Sequence, residues 1–86
     1  MEARMKAWIT EANEIHCDVP VSHNALMKTV PGAKWSNKYD RWRLPLTWSS
    51  FVALRNTFAS SFLPSPDLTE WADAYRTNIV EPAMRL

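Results

Sequence analysis

The chain has 86 residues, 47% of them hydrophobic, and its ten basic and nine acidic side chains leave a formal net charge of +1. A chain of this length hides roughly 64% of its unfolded surface on folding, which supports one core and excludes a helicase motor, a kinase or a complete dinucleotide-binding fold. The single Cys excludes an intramolecular disulfide and suits a reducing cytosol, whereas the five Trp must be either buried or used.

Met5–Thr10 reads as a strand and Glu11-Ala12-Asn13 as a turn. Glu14–Val19 then alternates, with Ile15, Cys17 and Val19 on one face and Glu14, His16 and Asp18 on the other. The two segments make an N-terminal hairpin. Pro20 ends it, and Ser22 is placed to cap a short helix from about His23 to Val30, with Leu26 and Val30 toward the core. Pro31-Gly32 breaks that helix at the only Gly. Lys34–Ser36 and Arg41–Leu46 follow as two strands around a polar turn, Asn37-Lys38-Tyr39-Asp40. Trp42, Leu44 and Leu46 share one face of the second, while Pro45 marks an edge or an early end to pairing.

Thr47 is the expected N-cap of a helix running from Trp48 to about Ser60, along which Trp48, Phe51, Val52, Leu54 and Phe58 form an apolar stripe. Leu63-Pro64-Ser65-Pro66 reads as a linker. Ser65 caps the next helix, Pro66 fits its first position, and Asp67 and Glu70 favour its positive end. Leu68, Trp71, Ala72, Tyr75 and Ile79 form its apolar side, and Glu81-Pro82 should interrupt it. The predicted order is ββ-α-ββ-α-α, a small α+β fold with a mainly antiparallel sheet and helices packed on one face. Residues 1–63 are taken as the α+β module. Residues 64–86 are taken as a C-terminal helix and the start of a connector to a following domain.

Charge is spread unevenly. Residues 1–19 carry a net −2, residues 28–55 carry +5 and residues 56–86 carry −2. A basic middle between acidic ends suggests a local surface for a polyanion. The longest uncharged stretches, Leu44–Leu54 and Asn56–Pro66, are eleven residues each and too short to span a bilayer. No apolar signal segment follows Met1, so a cytoplasmic protein is expected.

Catalysis finds no footing in the sequence. One Gly cannot build a phosphate-binding loop. Cys17 and His16 lie on opposite strand faces, and no third group orients Cys17 with His23. His16, Cys17, Asp18 and His23 fit no zinc-ligand spacing, so neither a metal nor a cofactor is expected. The informative stretch is Lys34-Trp35-Ser36-Asn37-Lys38-Tyr39-Asp40-Arg41-Trp42-Arg43, where cations and aromatics interleave around a tight hairpin. Lys38, Arg41 and Arg43 can contact phosphates and Tyr39 can stack on an unpaired base. Trp35 and Trp42 read as core residues facing each other across the turn.

Val30-Pro31-Gly32-Ala33-Lys34-Trp35, followed after six intervening residues by Trp42-Arg43-Leu44-Pro45-Leu46, resembles the small module that precedes the motor in Swi/Snf-type DNA helicases of actinobacteriophages. That module is itself similar to the HARP (HepA-related protein) domain of annealing helicases. Ala53-Leu54-Arg55, Phe58 and Trp71-Ala72 fit the helices of that family, so the resemblance covers roughly Glu14 to Leu86. Ser36-Asn37 departs from the Asp-Pro expected at the hairpin tip. The resemblance implies a non-catalytic module that recognises branched or single-strand-containing DNA, such as a fork, and directs an attached ATPase inside an infected bacterium; the chain itself is expected to be a monomer. Its basic hairpin would be Lys34, Lys38, Arg41 and Arg43. The competing expectation is a protein-interaction module whose acidic C-terminal helix docks on a motor or a host protein.

Overall fold

The computed structural model describes residues 4–84. It is an α+β fold built on one five-stranded sheet. Strand β1 (Met5–Ile9) and β2 (Glu14–Asp18) form the expected hairpin, and β3 (Lys34–Ser36) and β4 (Arg41–Pro45) form a second. The hairpins join through β2 and β4, antiparallel, with Ile15 opposite Leu44 and Cys17 opposite Trp42. Strand β5 (Phe62–Pro64) completes the order β3-β4-β2-β1-β5.

Alternation decides which side of the sheet is covered. Met5, Ala7, Ile15, Cys17, Trp42 and Leu44 point to one face, and all are buried. Helix α1 (Asn24–Met27), α2 (Trp48–Phe58) and α3 (Pro66–Tyr75) supply Met27, Phe51, Leu54, Phe58, Leu68 and Ala72 to the same core. Helices therefore pack on one face, as the pattern predicts. Both long helices start at the expected caps. Thr47 Oγ1 accepts from the Ser50 amide at 3.1 Å, and Ser65 Oγ accepts from the Leu68 amide at 3.2 Å.

Three local expectations are corrected and one open alternative is resolved. The segment read as a linker, Leu63-Pro64-Ser65-Pro66, begins inside β5, which runs parallel to β1 with Phe62 opposite Met5 and Pro64 opposite Ala7. Pro64 is tolerated because β5 is an edge strand, where a missing N–H costs no ladder bond. The helix expected over His23–Val30 is a 3-10 turn at Val21–His23 followed by the single turn α1, and Ser22 makes no capping hydrogen bond. Met27 replaces Leu26 in the core, and Leu26 lies exposed. Strand β4 is interior, with Pro45 as its last residue, so Pro45 ends the pairing rather than marking an edge.

The third correction concerns the C-terminal side. Glu81-Pro82 does not break the helix, which widens into a π-helical turn at Arg76–Val80 and continues as α4 (Glu81–Met84). Pro82 lacks the N–H that a continuing helix would use at this point, and the widened π turn lies directly before it. Ile79 is exposed on this extension rather than packed in the core.

Candidate nucleic-acid interface

The face of the sheet turned away from the helices carries the residues of interest. Directly paired positions place Lys34 beside Arg43, Arg43 beside His16, and His16 beside Trp8. These four side chains form one row across β3, β4, β2 and β1. At about 4.8 Å per strand the row spans about 14 Å. Lys6, two residues from Trp8 on β1, projects from the same face and is exposed.

The turn between β3 and β4 folds back over this row. Asp40 adopts a left-handed φ of 55°, a conformation that Asp tolerates better than most residues. Ser36 Oγ accepts from the Tyr39 amide at 3.3 Å and ties the turn. The Tyr39 ring lies over His16, with centroids 5.3 Å apart, and stays 47% exposed. Lys38 Nζ sits 5.1 Å from the Tyr39 ring centre.

Arg41 is the most constrained cation of the group. Its Nε donates to the Tyr39 carbonyl at 3.0 Å, and its guanidinium lies 5.1 Å from the Trp8 ring and 5.8 Å from the Tyr39 ring. Stacking leaves the outer guanidinium N–H groups available to an anion. Arg43 pairs with Glu14, Nη1 to Oε2 at 3.2 Å, while 45% of its side chain remains exposed. Lys34, Lys38, Tyr39, Arg41 and Arg43 thus share the open face and its folded-back turn.

Trp8, His16 and Glu14 also belong to this surface, and sequence reasoning did not single them out for it. Trp8 had a usable signal, because alternation from buried Met5 and Ala7 puts it beside Lys6 on the open face. His16 had none. Its place on the polar side of β2 predicts exposure, yet it is only 4% exposed, because a turn more than twenty residues later lays Tyr39 over it. The Trp pair also divides. Trp42 is core, 8% exposed with Nε1 donating to Asn24 Oδ1 at 3.2 Å, whereas Trp35 on edge strand β3 is 45% exposed. The reading of Trp35 as core is therefore corrected. An edge strand leaves one flank of its side chains without a neighbour.

Cys17 faces the helices, and burial pushes its thiol up to about 12. A thiol held protonated at neutral pH is a poor nucleophile and a poor metal ligand. No group of three or more His, Cys, Asp or Glu among the described residues is placed to hold a metal ion. No helix among the described residues is long and apolar enough to cross a membrane. Compared with family models, curated proteins and solved structures, the chain matches none.

Proposed function

We propose that the chain is a non-catalytic module that binds DNA with single-stranded character across the open face of its sheet. The observation that carries this reading is the row Lys34, Arg43, His16 and Trp8, capped by Tyr39 and Arg41. Cations spaced along a sheet follow a phosphate backbone, and rings presented beside them stack on bases that a duplex would keep paired. A forked or partly unwound substrate offers both chemistries at once. The sequence resemblance to the module of Swi/Snf-type helicases supports the same reading and extends it to an attached motor, to which the bound DNA would be presented.

Titration against labelled single-stranded, forked and duplex DNA by fluorescence anisotropy tests the proposal. Four phosphate contacts imply a log-log salt slope near −2.8 on single strands, so affinity should fall about 50-fold between about 50 and 200 mM salt. Single-stranded and forked DNA should bind more tightly than duplex. Absence of binding at low salt refutes the reading and favours a protein partner. Ile79 and Met84, exposed on the C-terminal extension, give such a partner an apolar contact.

A further inference from the structure

A cleft of about 470 Å³ lies on the open face between the folded-back β3–β4 turn and the β1–β2 turn. That volume falls within the range of about 300–1,000 Å³ usual for small-ligand sites. Trp8, Glu14, His16 and Arg41 line it from the strands, and Tyr39 lines it from the turn. Glu11 also borders it, so two carboxylates line this part of the open face. Carboxylates repel phosphate and attract N–H donors, so the cleft suits a base rather than the backbone that carries it.

His16 sharpens the assignment. It is 4% exposed, and its Nε2 has no hydrogen-bond partner. The Glu14 Oε1 atom is the near carboxylate oxygen, at 3.6 Å, beyond hydrogen-bond range. Glu14 Oε2 lies on the other side, 3.2 Å from Arg43 Nη1. A buried polar atom without a partner is costly and stands ready for one that arrives with a ligand.

We propose that this cleft takes one unpaired guanine base, an assignment that rests on the DNA-binding reading above. With the proton on Nε2, the protein presents His16 Nε2–H, Glu14 Oε1 and the second lone pair of Glu14 Oε2, which already accepts from Arg43, in sequence: donor, acceptor, acceptor. The pairing edge of guanine presents O6, N1–H and N2–H in the complementary sequence of acceptor, donor, donor. Thymine offers acceptor, donor, acceptor and sets its O2 against a carboxylate oxygen. Cytosine and adenine bring a ring nitrogen acceptor to the central position, against Oε1. Guanine alone satisfies all three protein atoms. Tyr39, now over His16, slides onto the base as it docks, and Trp8 and Arg41 provide flat surfaces beside it.

The test uses an oligothymidylate of eight nucleotides carrying a single central dG, dA, dC, dT or abasic site, read by anisotropy at low salt. The dG oligonucleotide should bind about tenfold more tightly than the dT one, in line with the discrimination of a good two-point contact to a base. Glu14→Gln, with its fold checked by circular dichroism, should collapse that ratio toward one, because an amide cannot offer two acceptors. Free dGMP in a parallel titration separates the sources of the base: weak binding places the guanine within a strand, and binding as tight as the oligonucleotide makes a mononucleotide the ligand. Equal affinity for all central bases, or preference for another base, overturns the guanine assignment and leaves the DNA-binding reading in place. Failure of every oligonucleotide to bind removes both.

Discussion

Trp42 and Trp35 face each other across β3 and β4 with ring centroids 5.6 Å apart, edge to face, yet they should differ sharply in what they hold together. A Trp side chain buries on the order of 200 Å², and at about 25 cal/mol per Å² that is worth about 5 kcal/mol when complete. Trp42 is 8% exposed and its Nε1 is bonded to Asn24 Oδ1, so Trp42→Ala should cost about 3–5 kcal/mol once partial relaxation of the site is included. Trp35 is 45% exposed, and its Nε1 bonds only to Asn37 Oδ1 within the same turn. Half the area implies about 2.5 kcal/mol for Trp35→Ala.

A chain of this size has a stability of about 4–13 kcal/mol, so the Trp42 change consumes much of it while the Trp35 change does not. With an unfolding entropy of about 0.18 kcal/mol/K, the expected losses in Tm are about 17–28 °C for Trp42→Ala and about 14 °C for Trp35→Ala. Trp42→Phe keeps most of the ring but leaves Asn24 without its donor, and should cost about 1–2 kcal/mol, which keeps the series measurable if the Ala variant is already unfolded. Thermal melts followed by far-UV circular dichroism decide the matter. Equal Tm losses for the two Ala variants would refute the division into core ring and edge ring. A Trp42→Ala protein that melts normally but loses DNA binding would place that ring in the interface.

The triple variant Lys38→Ala, Arg41→Ala, Arg43→Ala should stay folded and bind single-stranded DNA more weakly, with the salt slope reduced by about 2; unchanged anisotropy titrations would remove these cations from the interface. Cys17, protonated when buried and with its pKa raised from 9.0 to about 12, ties stability to alkaline pH. Above pH 9 the unfolded chain gives up that proton and the folded one keeps it, so stability should fall by up to about 1.4 kcal/mol per pH unit until about pH 12. Cys17→Ala should flatten that part of a denaturant-melt pH series, and an identical alkaline decline in the variant would refute the linkage.

The two hairpins, the starts of the two long helices and the one-sided packing are legible in the sequence because each rests on local chemistry. Ile15 and Cys17 alternate with Glu14, His16 and Asp18, and Thr47 and Ser65 are good caps wherever they stand. Strand β5 is not legible, since three residues give no period and Pro64 argues against a strand; what makes it one is a neighbour, β1, more than fifty positions earlier. The candidate site divides the same way. Its cations and Tyr39 announce themselves in one continuous stretch, whereas Trp8, Glu14 and His16 join them only through the pairing of β2 with β4 and the folding back of Tyr39. Burial of His16 is a long-range fact, and no window around residue 16 contains its cause.

The parallel seat of β5 beside β1 also fixes how chain connectivity is distributed in the sheet. Bringing Phe62 to Met5 closes a loop of more than fifty residues, an entropy cost near 3.5 kcal/mol before any constant term. Three residues of pairing and the Ser65 amide bond to the Ala7 carbonyl at 2.7 Å are small compensation for it. Helix α3 holds the closure, because it starts directly after β5 and buries Leu68 and Ala72. Helix and edge strand therefore share one fate, and the outer edge of β1 is only as secure as the anchorage of α3.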